Sequence, residues 1–387
     1  MTPKLLVISV TAIVFTALCQ LTSAQAEFKN LQDLNGGLVA NPSCTFRAVE
    51  AVAGSNRKAA VCAVVGVNGH LFVNIFDGNS FVFDVSSWSG FTDKGGVIIG
   101  KPSCTHFGGL NDHVLCGTVG TDSNVFIDVF NGTSWSGFQP IGNIISISDP
   151  VCTGIAGTEK AICAIIGTNS SLFFNTFDGT NWSGWGDLNL LVGTTARHIF
   201  NPTCTDDLNG GALCGAVTTA GELRVKRFNG TSWDPSPTVL TIQLPQVLGR
   251  PNQPVNILMT SDPSCTVVNG TGQLICGVRG ADSGLYVWQF DGTAFSNFQF
   301  LGGILATAPS CTAVDVEQNN PRAVCAVRGT DSGLYVNQFN NCIWTGFQPI
   351  QGVEINGAPS CTVMPTIPQV LCGVKSTNDR LYVTMGP

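Results

Sequence analysis

The stretch RGTDSGLYVNQF at residues 328–339 nearly repeats RGADSGLYVWQF at residues 279–290, 49 positions earlier. Two such copies indicate an internal repeat, and a repeat of this period predicts a repetitive architecture. Around both copies the order of signals is the same: a short apolar run, a GxDS turn, an alternating run, a turn that reads DGT at residues 291–293 and NNC at residues 340–342, and an aromatic segment. Each unit is therefore predicted to contain four short strands.

A Pro-x-Cys-Thr sequence or a close relative marks the start of every unit. It recurs seven times at intervals of about fifty residues, at Cys44, Cys104, Cys152, Cys204, Cys265, Cys311 and Cys361. Four-stranded units of this length are typical of β-propeller blades, whereas β solenoids repeat at shorter periods. The predicted fold class is therefore all-β, a seven-bladed β-propeller.

The two ends of the chain predict how the ring closes. The seventh unit stops at RLYVTMGP, residues 380–387, before any aromatic fourth segment. The segment EFKNLQDLNGG, residues 27–37, carries Phe28 and Leu31 at the spacing of Phe138 and Ile141. We expect this N-terminal segment to complete the last blade, which would leave no unpaired edge between the first and last units.

Each of the seven cysteines is followed by a second one, 10 to 18 positions later, at Cys62, Cys116, Cys163, Cys214, Cys276, Cys325 and Cys372. The pairs fall on neighbouring strands, so we expect one disulfide in each blade, contributing about 3 kcal/mol apiece in the chain-entropy model. Cys342 is left over and is interpreted as a free thiol in preference to an intermolecular bridge. Zinc is not expected, because Cys-x-x-Cys spacing is absent and the four histidines are scattered.

The N-terminus predicts secretion. Lys4 precedes an apolar run at residues 5–21, and Ala24 and Ala26 fit the small-x-small pattern of a cleavage site. We therefore divide the chain into a signal peptide, residues 1–26, and a propeller, residues 27–387. A membrane anchor is less favoured, because the run barely reaches spanning length and contains Gln20. The cysteine content also fits an oxidising, extracellular environment.

The charge content argues against nucleic acid as a partner and against membrane insertion. Only 11% of the residues are charged, the net charge is −7, and basic residues form no runs. Oligomerisation is left open. Asn-x-Ser/Thr sequons would accept glycans in a eukaryotic source, and they occur at Asn131, Asn169, Asn181, Asn229 and Asn269.

Catalysis is not expected, and neither is a cofactor. A propeller glycosidase would need two convergent carboxylates or a tyrosine nucleophile. The repeated aspartates are predicted to cap their own turns; they are Asp122, Asp282 and Asp331 in the GxDS turn and Asp77, Asp178 and Asp291 in the Asp-Gly turn. The three tyrosines share one repeat position, which indicates packing; they are Tyr286, Tyr335 and Tyr382.

Tryptophan recurs at one position of the aromatic segment, at Trp88, Trp135, Trp182, Trp233 and Trp344, and is joined elsewhere by Trp185 and Trp288. Two interpretations stay open. The rings could stack on the C–H faces of sugars in shallow sites between blades, or they could be wedges that fill the boundaries between blades.

The unit RGTDSGLYVNQF…WTGFQPI, with LGG following in blade five, resembles the repeat of the PLL-like bacterial β-propeller lectins. The G-[TA]-D-S-G-L-Y element is the most specific part, and the resemblance covers the whole chain after residue 26. It implies seven blades and binding of fucose or related, sometimes O-methylated, glycans. It places carbohydrate-binding residues in blades two, five and six, at Asp122, Trp135, Arg279, Asp282, Tyr286, Trp288, Arg328, Asp331, Tyr335 and Trp344.

The leading hypothesis is a secreted, multivalent and non-enzymatic lectin that binds glycans or glycoconjugates. The alternative is a secreted propeller scaffold that binds a protein partner, which a large exposed apolar rim would favour. A propeller glycosidase is the least favoured of the three.

Overall fold

A computed structural model describes residues 27–47, 58–78, 85–108, 113–191, 194–244, 255–268, 273–291, 293–314, 322–340, 343–364 and 369–386. The predicted signal peptide and Cys342 lie outside the described residues. Seven four-stranded antiparallel sheets form the blades of a β-propeller, which confirms the predicted fold class. The first strand of each blade contacts the first strands of its two neighbours, so these seven strands surround the central channel.

Each blade runs outward from the channel through its four strands in chain order. Blade one contains Ser43–Arg47, Lys58–Val65, Leu71–Gly78 and Thr92–Gly95, and blade two contains Ile98–Phe107, His113–Gly120, Val125–Phe130 and Gln139–Pro140. Blade three contains Val151–Gly154, Ala161–Ile166, Leu172–Phe177 and Gly186–Asp187. Blade four contains Thr203–Asp206, Ala212–Val217, Leu223–Phe228 and Thr238–Leu240. In blades five and six the strands are Ser264–Val268, Gln273–Arg279, Leu285–Phe290 and Gln299–Gly302; Ser310–Val314, Arg322–Arg328, Leu334–Asn340 and Ile343–Ile350.

Blade seven contains Ser360–Met364, Gln369–Lys375 and Leu381–Gly386, and its fourth strand is the N-terminal Gln32–Asp33. In that pairing Gln32 lies opposite Val383, and the ring of Phe28 packs against Gly386. The predicted closure by the N-terminal segment is thus confirmed.

Two short elements lie outside the blades. A two-stranded ribbon, Ile242–Leu244 with Val255–Ile257, lies between blades four and five, and a 3-10 turn spans Val85–Ser87. Within the described part of the chain, no helix has the length and hydropathy needed to cross a membrane.

All seven predicted disulfides are present. The two cysteines of a pair lie directly opposite each other on the first and second strands, as Cys152 and Cys163 do. In three blades the first cysteine of the disulfide also lies against the glycine that follows the second cysteine of the preceding blade. A Cβ atom added at Gly117 would lie 2.6 Å from the sulfur of Cys152 in the next blade, and Gly277 stands in the same relation to Cys311. The small residue after the second cysteine is therefore required by blade packing.

A ring of hydroxyl groups joins the first strands around the channel. The residue before the first cysteine accepts a hydrogen bond from the next blade's cysteine N–H: Ser43 from Cys104 at 2.9 Å, and Ser360 from Cys44 at 2.9 Å. Ser103, Thr203, Ser264 and Ser310 do the same. Between blades three and four the equivalent residue is Val151, which has no hydroxyl.

A second ring of hydrogen bonds runs through the GxDS turns between the second and third strands. The serine of the turn has a positive φ, 62° at Ser123 and 66° at Ser332. Its carbonyl then accepts an N–H from the segment entering the next blade, as Ser332 does from Ile355 at 2.8 Å. Equivalent bonds occur at all seven boundaries, with donors Leu38, Ile98, Ser146, His198, Met259, Leu305 and Ile355. The motif that is nearly duplicated in the sequence is thus a connector between blades.

Candidate functional site

The aspartates of the GxDS turns cap their own turns, as predicted. Asp122 accepts the backbone N–H of Asn124 at 3.0 Å, and Asp331 accepts that of Gly333 at 3.0 Å. The Asn124 side chain also bonds Asp122 and lowers the pKa of that carboxyl below its usual value. Asp178 and Asp291 cap their hairpin turns in the same manner, while the side chain of Asp77 lies outside the described atoms.

The two arginines of the predicted site bind backbone carbonyls at blade boundaries. Arg279 donates to the carbonyls of Thr260 at 2.9 Å and Ala306 at 3.0 Å. Arg328 donates to the carbonyl of Ile355 at 2.6 Å. Arg279 therefore links the segments that enter blades five and six. Arg328 also donates to Ser332 and so links the turn of blade six to the segment that enters blade seven.

The two tyrosines of the predicted site donate to the turn aspartates. Tyr286 donates to Asp282 at 2.7 Å, and Tyr335 donates to Asp331. Tyr286 is buried against Phe298 and Phe300, and this burial raises the pKa of its phenol. The packing role predicted for Tyr286 is confirmed.

The repeated tryptophans form aromatic pairs with a phenylalanine at or near the end of the third strand. Trp135 lies 5.3 Å from Phe130, and Trp344 lies 5.2 Å from Phe339, measured between ring centroids. The same pair occurs at Trp88, Trp182 and Trp233. Packing within the hairpin thus accounts for the recurrence of the residue, and stacking on a sugar stays a prediction.

The predicted site residues lie at both ends of the blades. The arginines and turn aspartates lie on the face that carries the turns between the second and third strands, here called the turn face. Trp135 and Trp344 lie on the opposite face, at the hairpins joining the third and fourth strands, here called the hairpin face. A six-residue third strand separates the two by about 20 Å. These residues therefore do not converge on one site, and their contact with sugar stays a prediction.

A groove on the outer rim, between blades four and five, brings together residues that the sequence did not single out as a set. Its volume is about 740 Å³, and it lies between Thr238–Leu240 of blade four and the hairpin of blade five. Aromatic side chains line the blade-five side: Trp288, Phe290, Phe295 and Phe298. We call this the blade 4/5 groove.

Trp288 distinguishes blade five from the other blades. The equivalent residue in blades one and three is Asn74 or Asn175, which accepts a hydrogen bond from the hairpin serine. Asn175 also donates to the carbonyl of Ile141 in the preceding blade, at 2.7 Å. Trp288 has no amide group and cannot form this bridge between blades. The two-stranded ribbon follows Leu240, at the end of blade four, directly in the chain. In the sequence, the tryptophan at position 288, where some other blades have asparagine, was the signal that could have located the groove.

The rest of the groove lining is uncharged and combines polar side chains with the aliphatic Val239, Leu240 and Ala294. Hydroxyl and amide groups come from both walls, at Thr238, Thr241, Gln243, Thr293, Ser296 and Asn297. None of the described residues that line it carries a charge. An aromatic floor with uncharged donors and acceptors suits a neutral polyhydroxylated ligand.

Solved structures with a similar fold include lectins and a protein complex. The BP39L lectin from Burkholderia pseudomallei matches with a TM-score of 0.66 and 15% identity, over 91% of this chain and 96% of the lectin. The Aleuria aurantia lectin, described as a six-bladed propeller with a novel fucose recognition mode, matches at 0.52 and 12%, over 81% and 96%. BBS1N in complex with ARL6DN matches at 0.54 and 9%, over 94% and 98%. At these identities the likeness shows the propeller fold alone.

No model of a known protein family matches the chain. No curated protein shows significant similarity to it in sequence.

Proposed function

We propose that this protein is a non-enzymatic lectin that binds a neutral sugar in the blade 4/5 groove. The observation that carries the proposal is the lining itself, in which Phe290, Phe295 and Phe298, backed by the buried Trp288, share about 740 Å³ with uncharged hydroxyl and amide groups. Aromatic faces stack on the C–H surfaces of sugars, and the polar groups can bond hydroxyls. The volume lies within the range of about 300–1,000 Å³ that is typical of ligand sites.

The finer expectations come from the sequence. Fucose, with its apolar methyl group, and O-methylated sugars are the first candidates, because the repeat resembles that of PLL-like lectins and because the Aleuria aurantia structure is described as recognising fucose. Secretion is expected from residues 1–26 and from the disulfides. Multivalency would require further sites in other blades or an oligomer.

A glycan array with the purified mature chain tests the proposal, followed by calorimetric titration of the best sugar. Phe295 and Trp135 occupy equivalent hairpin positions in blades five and two, which makes them a matched pair. We expect Phe295→Ala to weaken binding at least tenfold, because it removes part of the aromatic lining, whereas Trp135→Ala leaves the affinity unchanged.

The outcomes separate the two placements of the site. Loss of binding in Trp135→Ala alone would favour the site predicted from the repeat over the groove. A blank array from well-folded protein would refute the lectin proposal. Turnover of a bound glycoside would contradict the non-enzymatic part.

A protein-binding scaffold is the second candidate, and exposed aliphatic side chains on the turn face favour it. They lie beside the second turns or at the entry to the first strands, at Val39, Val67, Val97, Ile99, Ile145, Ile147, Ile199, Leu258 and Ile304. Such a repeating ring can pair with a second copy of itself face to face. Sedimentation analysis tests this, since Val67→Ser with Ile147→Ser should dissociate the resulting dimer.

A further inference from the structure

A second cavity lies at the mouth of the channel on the turn face, opposite the face of the blade five hairpin. Its volume is about 330 Å³. Four successive blades contribute to it, blades seven, one, two and three, through Asn356 and Lys375, Val39 to Asn41, Gly100 and Lys101, and Asp149. We call this cavity the channel pit.

Lys101 supplies a cation to the pit. Its backbone N–H donates to Asp149 Oδ1 at 2.9 Å, which fixes the residue at the edge of the pit. Its side chain is half-buried. Among the described residues its ammonium attracts the carboxyl of Asp149 without a direct ion pair. A half-buried ammonium without a direct ion pair is a strong potential donor to an anionic group.

Asp149 lines the pit beside Lys101, where its carboxyl group is held by hydrogen bonds and attracts the Lys101 charge. One of its oxygens accepts the Lys101 N–H, and the other accepts the side-chain amide of Asn201 at 3.2 Å. Burial, the largest cause, raises the pKa of this carboxyl. Asp149 is therefore bound into the ring of residues around the channel.

Lys375 places a second cation in the pit. Its ammonium pairs with Asp379 Oδ1 at 2.9 Å, and the lysine side chain is only 14% exposed. The side chain of Asn356 also bonds Asp379. The lysine is thus held in one position, with its stem lining the pit. Beside it, Val39 and Ala40 form an apolar wall, and Val39 is 55% exposed.

We propose that the channel pit binds a small organic carboxylate of about monosaccharide size, such as a sugar acid. The carboxylate contacts the ammonium of Lys101 and lies within the electrostatic field of Lys375. Asn41 and Asn356 supply polar partners. The carbon skeleton lies against Val39. This site goes beyond the proposed lectin function, because it lies at the channel, away from the outer rim, and selects for charge, which the lining of the blade 4/5 groove lacks.

Calorimetric titration of the mature chain with D-glucuronate, and with D-glucose as the neutral probe, tests the proposal. We expect D-glucuronate to bind and D-glucose to leave the pit empty. Lys101→Met should weaken D-glucuronate binding at least tenfold, and raising the salt concentration should weaken it further. Lys94→Met is the matched control, because Lys94 lies over the Trp135 ring, outside the pit.

Three results would overturn the proposal: no binding of D-glucuronate, equal binding of D-glucose at a site that Lys101→Met abolishes, or full affinity in Lys101→Met. If Lys101→Met is unstable, Lys101→Gln replaces it, because glutamine keeps a polar side chain without the charge. A loss of D-glucuronate affinity in Lys101→Gln would then be electrostatic. Phe295→Ala should leave D-glucuronate binding unchanged, so failure of the pit and failure of the lectin proposal are told apart.

Discussion

The channel side and the outer rim of this propeller differ in how strictly they repeat. Around the channel nearly every boundary between blades uses the same hydroxyl bond, the same turn carbonyl bond and a disulfide in the same place. On the outer rim the equivalent positions hold different groups. At Trp135 of blade two, Lys94 lies 5.2 Å above the ring centroid, whereas at blade five the equivalent hairpin borders an open groove.

This difference teaches where a site can be sought in a repeat protein. A residue that recurs in every blade satisfies a constraint that every blade shares, which is packing against its neighbour. The Arg and Ser of the repeated motif serve that constraint here, while the Asp caps the turn that presents the serine. Trp288, which breaks the repeat, lines the blade 4/5 groove.

The largest expected effect comes from making blade five resemble its neighbours. Trp288→Asn removes a fully buried aromatic side chain, so we expect a loss of about 3–5 kcal/mol in the free energy of unfolding. Sugar binding should also weaken, by about tenfold, because the buried Trp288 supports the more exposed rings that line the groove. Urea unfolding and calorimetric titration measure the two effects. Unchanged sugar affinity would show that the groove is not the site.

Acid should lower the stability of the fold through the boundary between blades three and four, on the channel side. His198 is buried there, and burial, the largest cause, lowers the pKa of its imidazole from 6.5 to about 4. Because the unfolded state binds the proton more readily, stability is complete above pH 6.5 and falls as the pH drops to about 4. The loss should be about 3 kcal/mol, measured by urea unfolding across this range.

His198→Met supplies the control, because Met259 occupies the equivalent position in the next blade. The variant should lose this part of the pH dependence. The same acid sensitivity in His198→Met would show that another group titrates.

A substitution at Asp128 tests how the outer rim contributes to stability at blade two. Its side chain is buried, its Oδ2 has no hydrogen-bond partner among the described residues, and burial, the largest cause, raises its pKa. Asp128→Asn introduces the residue of blades one, three and six, and we expect stabilisation by about 1 kcal/mol at pH 7.

The gain from Asp128→Asn has a defined pH dependence. A raised pKa in the folded state means that the wild type loses stability as the pH rises from about 4, so the advantage of the variant should grow over the same range. A less stable variant at pH 7 would show that attraction between Asp128 and Lys94 outweighs burial.

The smallest effects concern the hydroxyl ring. Thr203 accepts the N–H of Cys265 at 3.1 Å, so Thr203→Val should cost about 1 kcal/mol. Val151→Thr should supply the missing bond to Cys204 and add about 0.5–1 kcal/mol. The two near-isosteric changes, compared by urea unfolding, should have opposite signs. A destabilised Val151→Thr would show that the ring cannot be completed at that boundary.

Much of the fold could be predicted because its signals are local. Alternating strands, turn residues and cysteine spacing recur in each unit, and Phe28 and Leu31 match the fourth segments of other blades. The site could not be predicted in the same way. The capping of its own turn by Asp331 followed from the local motif, whereas the contact of Arg279 with Ala306 depends on the backbone path between blades.

The sequence by itself determined the seven blades, the order of four strands in each, the closure by residues 27–37 and the cysteine pairing. Only the tertiary structure decided that the repeated polar residues join blades, that Thr238 and Phe298 face one another across a groove, and that Lys101 and Lys375 share one pit. The physical reason is the range of the interactions. Strand and turn preferences act within a few residues, whereas the groove and the pit join side chains that are distant in sequence and become neighbours only when the ring closes.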